Sequence, residues 1–203
     1  ASDVYTLSED QTLYAHWKGW DRDGDQVLGV YDENGKPIKN QFVCDGTYTY
    51  YIQNDGTPMK NRLTYHPNGK DIIYFDEKGH EVFDNFANVK RSISGQTVDD
   101  ICYFDTFGSM YIDRTTYDRT GMTLYYLNPY GVMQRNGWFQ FSNGEIGCAR
   151  EDGSLLKDQF AYDQWGRLVY LKGDGTVAKG VINDGVFNYR MDENDGHCLE
   201  IYQ

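Results

Sequence analysis

Residues able to do covalent or acid–base chemistry are present but scattered. The four histidines, His16, His66, His80 and His197, fall in or beside stretches that read as turns and strand ends, far apart along the chain. No G-x-S-x-G elbow, H-E-x-x-H helix or phosphate-cradling glycine loop occurs. Carboxylates are plentiful, yet pairs such as Asp76-Glu77 and Glu151-Asp152 sit in turn-like stretches where solvation explains them, and nothing selects a glycosidase pair. Cys44, Cys102, Cys148 and Cys198 are even in number and form no C-x-x-C, so zinc is not expected. Three full pairings stay open, and free, partly buried thiols are the plainer expectation. Asp21-Arg22-Asp23-Gly24-Asp25 has the look of a calcium loop, but such a loop wants Gly sixth and a bidentate Glu twelfth, where Gln26 and Asp32 stand. The chain is therefore expected to carry no catalytic residue, no metal and no cofactor, and not to be an enzyme.

Composition narrows the partners. A formal net charge of −12 over 203 residues argues against nucleic acid, whose binding depends on Lys and Arg at the phosphates, and against broad attraction to anionic lipid. Neutral sugars and cationic groups remain compatible. No segment has the apolar length to span a bilayer, nothing at the N-terminus reads as a signal peptide, and the chain is expected to be a portion of a longer protein. Oligomeric state is open.

The elements that must position any functional side chain are short strands. Aromatic residues make up 16% of the chain, with 22 Gly and only 4 Pro, too aromatic for disorder and too rich in glycine for helices. No stretch of ten or more residues shows apolar positions at i, i+3, i+4 and i+7, so the fold class is all-β. The best-formed stretch runs from Leu124-Tyr125-Tyr126-Leu127 through Asn128-Pro129-Tyr130-Gly131 to Gly137-Trp138-Phe139. It reads as one β-hairpin feeding the start of another, with the turn glycine taking a positive φ that other residues resist.

That unit returns. Tyr50-Tyr51-Ile52, Ile73-Tyr74-Phe75, Cys102-Tyr103-Phe104 and Val169-Tyr170-Leu171 each lead into a turn of the same kind. Its glycines, Gly35, Gly56, Gly79, Gly108, Gly131, Gly153, Gly175 and Gly196, are 21, 23, 29, 23, 22, 22 and 21 residues apart. A near-constant period in the low twenties is the signature of a repeat array, in which each small unit buries its apolar face only against its neighbours. The one long interval places its extra residues within 87–100, where a lengthened hairpin is expected. A second turn glycine lies in each unit, as in Tyr162-Asp163-Gln164-Trp165-Gly166 and Tyr117-Asp118-Arg119-Thr120-Gly121.

The stretch from Tyr125 to Trp138 resembles the cell-wall-binding repeat, the aromatic- and glycine-rich unit of choline-binding modules, glucan-binding domains and clostridial toxin tails. The resemblance covers residues 18–203 and implies an elongated β-solenoid of tandem β-hairpin repeats, about eight of them. Tyr162 to Leu168 and Tyr117 to Gly121 also resemble YD repeats of Rhs-type shell proteins, a structural alternative. Residues 1–17, with Leu13-Tyr14-Ala15-His16-Trp17, resemble the end of an internalin-type B-repeat; they would otherwise serve as a cap over the first hairpin.

The family likeness offers choline or carbohydrate sites in grooves between successive hairpins, through cation–π attraction or stacking of rings on sugars. Carried over residue by residue, a choline cage is matched by Trp138 with Tyr125 and Tyr126, and the aromatics it needs from the next hairpin are replaced by Ile146 and Cys148. Glycan binding asks for one or two exposed aromatics beside Asp, Asn or Gln, and Trp20, Tyr126, Trp138 and Trp165 are the candidates. Strand alternation sends one of Tyr125 and Tyr126 inward. The expected function is a non-catalytic, extracellular, Gram-positive-type surface module attaching its parent protein to cell-wall or extracellular polysaccharide. The alternatives are a spacer or adhesin stalk without a small ligand, and a toxin-like tail for host glycans.

Overall fold

A computed structural model describes residues 19–203 of the chain. The B-repeat-like tail expected at 1–17 lies outside the described residues. These contain seventeen strands and no helix. Successive strands pair as hairpins: β1 (Gly19–Asp23) with β2 (Gln26–Tyr31), β3 (Gln41–Cys44) with β4 (Thr49–Ile52), and β5 (Arg62–Tyr65) with β6 (Ile72–Phe75). There follow β7 (Asn85–Ile93) with β8 (Gln96–Phe104), β9 (Arg114–Tyr117) with β10 (Leu124–Leu127), and β11 (Gly137–Gln140) with β12 (Ile146–Ala149). Last come β13 (Gln159–Tyr162) with β14 (Leu168–Leu171), and β15 (Gly180–Asn183) with β16 (Asn188–Met191), to which β17 (Cys198–Tyr202) adds an edge strand. The chain is all-β, a tandem series of eight hairpins with no closed sheet among the described residues.

By backbone proximity the chain falls into two compact units. One holds the described residues up to Arg62 together with Phe75–Glu81; the other holds Leu63–Tyr74 and Val82–Gln203.

The local chemistry that starts each hairpin is visible in the sequence. Asn40, Asn61, Asp84, Asp113, Asn136 and Asp158 each stand one residue before a first strand, and all have positive φ, between 43° and 63°. Asn and Asp are the residues other than glycine that visit the left-handed region most readily, because a short polar side chain bonds locally. All eight period-marking glycines also have positive φ. At Gly131 (φ 71°) there is a second constraint, since a Cβ would lie 2.6 Å from Met110 Cε and 3.1 Å from the Tyr111 carbonyl oxygen.

Between hairpins the same link recurs. After the return strand a tight turn brings the chain back to form one bridge, as in Phe104↔Met110, Leu127↔Met133 and Leu171↔Val177. Where the bridging residue is not proline, it then donates its N–H to the preceding hairpin. Met110 bonds Ile72 O at 2.8 Å, Met133 bonds Ile101 O at 2.7 Å, Leu155 bonds Leu124 O at 2.8 Å and Val177 bonds Ile146 O at 2.8 Å. In the other unit Glu81 bonds Thr49 O at 2.8 Å in the same way.

Small hydrophobic clusters accompany this ladder. Val27, Val30, Ile38, Val43, Tyr50 and Ile52 form one in the first unit. In the second unit Leu124, Tyr126, Phe141, Ala149 and Leu155 form another, and Val169, Leu171 and Val177 a third. The first two draw on two successive repeats and the third is completed by Trp138 and Ile146 of the repeat before it, as expected of units too small to bury an apolar face alone. The long interval is an extended hairpin, β7–β8, with nine-residue strands paired from Asn85↔Phe104 to Ile93↔Gln96. All four cysteines are free thiols, with Cys102 buried and Cys44 exposed.

Candidate ligand-binding groove

A groove of about 320 Å³ lies in the second unit between the β11–β12 and β13–β14 hairpins. Two of the residues expected from sequence, Trp138 and Trp165, line it together. Trp138 stands on β11 opposite Cys148 and packs its ring partly against the Val169, Leu171 and Val177 cluster. Ile146, Val169 and Val177 continue this apolar floor. Trp165 sits at the tip of the β13–β14 hairpin and is 68% exposed. One tryptophan is thus held by packing and the other is offered to solvent.

The tip holding Trp165 is organised by Asp163. Its Oδ1 accepts the backbone N–H groups of Trp165 and Arg167, both at 2.9 Å, and its carbonyl accepts Gly166 N–H at 3.0 Å. Gly166 supplies the positive φ of 77° that closes the turn. Arg167 donates Nε and Nη2 to Asp163 Oδ2, each at 2.8 Å, and reaches Asp195 Oδ2 with Nη1 at 3.0 Å. Burial pushes the Asp163 carboxyl up, but the Arg167 backbone N–H and guanidinium outweigh it and leave the group below its usual range. The hydrogen bond from His197 Nδ1, at 2.5 Å, is the largest influence on Asp195, which is held down to about 2. The Arg167 guanidinium also lies over the Trp165 ring, 4.8 Å from its centroid.

The other candidates stand elsewhere. Trp20, in the first unit, packs against the cluster around Val27 and Tyr50, its ring 5.5 Å from that of Tyr50. Arg22 lies over it at 5.1 Å and pairs with Asp45 Oδ2 at 2.7 Å. Tyr125 is half-buried and meets Phe86 edge-on at 5.0 Å, beside a shallow polar groove with Arg150, Asp152 and Lys157. Tyr126 is 3% exposed, stacked on Phe139 with its hydroxyl donated to Asp113. The alternation across β10 therefore makes Tyr126 a packing residue, and the Tyr125–Tyr126–Trp138 cage does not assemble.

A correction concerns Ile146 and Cys148. They were expected on the hairpin after the one carrying Trp138, whereas they form the return strand of its own hairpin, with Trp138 paired to Cys148. The next hairpin contributes Asp163, Trp165, Arg167 and Val169 instead. Asp163 and Arg167, and Asp195 from the turn between β16 and β17, are site residues that the sequence does not single out. The Asp163-to-Arg167 stretch was legible as a turn, but nothing in it announced that Asp195, some thirty residues on, would share the guanidinium.

Asp192, Asp195 and His197 bring ligand-type atoms within 4.8 Å of one another, the one such group among the described residues. Arg167 and the His197–Asp195 hydrogen bond already engage Asp195 and His197, and Asp192 Oδ1 accepts the Asn194 and Asp195 backbone N–H groups. Asp21, Asp23 and Asp25 form no such group.

No family model and no curated protein matches the sequence. Solved structures do match. The choline-binding domain of CbpL from Streptococcus pneumoniae is 20% identical over 89% of this chain and 86% of that one, with a TM-score of 0.60. The chain has the choline-binding repeat fold. Choline binding protein F from the same organism, crystallised in the presence of a peptidoglycan analogue, is 22% identical over 84% of this chain, with a TM-score of 0.59. This repeat-fold chain spans 55% of that protein's length. The complex of that protein with ipratropium is 16% identical over 85% of this chain and 65% of that one, with a TM-score of 0.58. In this chain Gly-Trp pairs occur at Gly19-Trp20 and Gly137-Trp138.

Proposed function

We propose that this chain is a non-catalytic module that acts outside the cell, attaching a parent protein to cell-wall or other extracellular glycan, and that the Trp138–Trp165 groove is its principal site. The observation that carries this is the pairing of an anchored with an exposed tryptophan in one groove, also lined by Gln140, Gln164, Asp163 and Asp195. A sugar ring offers an apolar face to an indole and hydroxyls to amides and carboxylates, and this groove supplies both. The likeness in fold to a protein crystallised with a peptidoglycan analogue supports a wall partner. Residues 18–203 would serve as one binding array, with Tyr125 and Trp20 marking secondary positions.

The test is retention of the purified chain on cell walls and on insoluble polysaccharides, competed by soluble sugars. Trp165→Ala is the informative variant, because the side chain is exposed and its loss leaves the fold intact. Retention is expected to fall by about tenfold, the scale of one lost stacking contact of roughly 1.5 kcal/mol. Unchanged retention by the variant would remove the groove from consideration. No retention of the parent chain on any glycan, together with rod-like scattering, would favour a spacer.

A further inference from the structure

We propose that Arg167 is a specificity-determining residue: its guanidinium fills the place beside Trp165 that a quaternary ammonium would take, so that the groove excludes cationic ligands and admits neutral, hydroxyl-bearing ones. This rests on reading the groove as a ligand site, and it names what that site refuses.

A site for a quaternary ammonium needs an aromatic face and offsetting negative charge. Both exist here, and Arg167 occupies one face of the ring and both charges. Its guanidinium lies 4.8 Å from the Trp165 centroid, on a ring that is otherwise 68% exposed, and the two carboxylates bordering the groove, Asp163 and Asp195, are bound to the same guanidinium at 2.8 and 3.0 Å. A free cation would have to displace a tethered one whose local concentration far exceeds its own. A neutral sugar faces no such competitor at Trp138 or Gln164, while Gln140, whose Nε2 is donated to the Gly144 carbonyl at 3.0 Å, has only its amide oxygen to offer.

The same device occurs a second time, in the first unit. Trp20 and Arg22 are two residues apart, as Trp165 and Arg167 are, and on the β1 strand that spacing sends both side chains to one face. Arg22 lies 5.1 Å over the Trp20 ring and pairs with Asp45 at 2.7 Å, a carboxylate whose side chain is 12% exposed. Two Trp-x-Arg stretches, in different repeats and different local backbones, thus reach one arrangement of ring, guanidinium and Asp. Arginine suits the task because its planar cation stacks on a ring while its edge holds a carboxylate with two donors.

The experiment titrates the full chain with choline chloride and with tetramethylammonium chloride, following tryptophan fluorescence, with matched sodium chloride as control. The unmodified chain is expected to give no saturable change. Arg167→Gln, which leaves Asp163 and Asp195 facing an open indole, is expected to bind both cations at least about tenfold more tightly than the unmodified chain. That gain should vanish in the double variant with Trp165→Ala. Saturable, Trp165-dependent choline binding by the unmodified chain would overturn the proposal, as would a folded Arg167→Gln that binds no better. Should Arg167→Gln lose its fold by circular dichroism, Arg22→Gln, read through Trp20, decides by the same criterion. Failure of the glycan reading is seen separately: retention on polysaccharide would be absent whatever the cation titrations give.

Discussion

At the scale of single residues, position in the repeat predicts side-chain character, and the exception is informative. The residue that bridges back after each return strand is Pro37, Pro58, Met110, Met133, Leu155 or Val177, and in one repeat it is Glu81. Glu81 is buried like Pro58, Met133, Leu155 and Val177, at 9% exposure, and burial pushes its carboxyl up to about 7. An acid whose folded pKa is raised favours the native state only while protonated. Its contribution is therefore present below the unfolded value of about 4.3 and is lost progressively as pH rises through about 7. Asp45 and Asp195, both held down to about 2, act in the opposite sense: their contribution is present above about 4 and is lost as pH falls toward about 2. Glu81→Met should raise the melting temperature more at pH 8 than at pH 5, by several degrees, in thermal melts at the two pH values. An equal shift at both would show that the carboxylate stays ionised and hydrated. Neither Glu81 nor the Asp195–Arg167 contact was legible beforehand, because both depend on which side chains meet across repeats rather than on the pattern within one.

At the scale of the element, a repeat is a hairpin plus the link that returns to the hairpin before it. The hairpins were legible, since alternating aromatic strands and turn glycines dictate them locally. The link was not, because its N–H finds its acceptor in another repeat, as Met133 does at Ile101. The two kinds of turn glycine separate these roles. Gly121, in a hairpin turn, has φ 72° with nothing within 4 Å of an added Cβ, whereas Gly131, in a link, has φ 71° with Met110 and the Tyr111 carbonyl in the way. Gly121→Ala is expected to destabilise by about 1 kcal/mol, the cost of a left-handed L-residue. Gly131→Ala should cost about 2–4 kcal/mol, since packing against the preceding repeat must also give way. Urea denaturation of the two variants measures the difference, and equal losses would mean that the link accommodates a methyl group without strain. The groove follows the same division. Trp138 was a candidate because its own hairpin motif is well formed, while the pairing with Trp165 belongs to the spacing of adjacent hairpins. That spacing also explains the misplacement of Ile146 and Cys148 by one strand.

At the scale of the whole chain, periodicity was the strongest signal, because it summed weak local resemblances over many copies. First strands begin at Gly19, Gln41, Arg62, Asn85, Arg114, Gly137, Gln159 and Gly180, in step with the glycine period read from sequence. The fold likeness, with a TM-score of 0.60, holds at 20% identity. Modular connection of this kind predicts that whole repeats are removable. Deleting residues 114–136 joins Asp113, a left-handed residue before a first strand, to Gly137, the start of another, and so rebuilds a junction of the native type. That variant is expected to fold with a single cooperative melt, whereas deleting residues 114–124, about half a repeat, should abolish the melt. Differential scanning calorimetry of the two distinguishes them, and comparable damage from both would mean that the repeats are not interchangeable.

The β7–β8 hairpin has a consequence for how such a chain can change. Its nine-residue strands are more than twice the length of the four-residue strands β3–β6 and β9–β16, yet Phe104 still bridges to Met110 and Met110 still bonds Ile72. Length at the tip is therefore decoupled from register at the base. Descendants of one ancestral sequence can lengthen, shorten or decorate the outer ends freely, while a handful of backbone contacts keeps every copy in phase. Novelty in ligand preference would then accumulate at the tips, where Trp165 and Arg167 already sit, without renegotiating the scaffold.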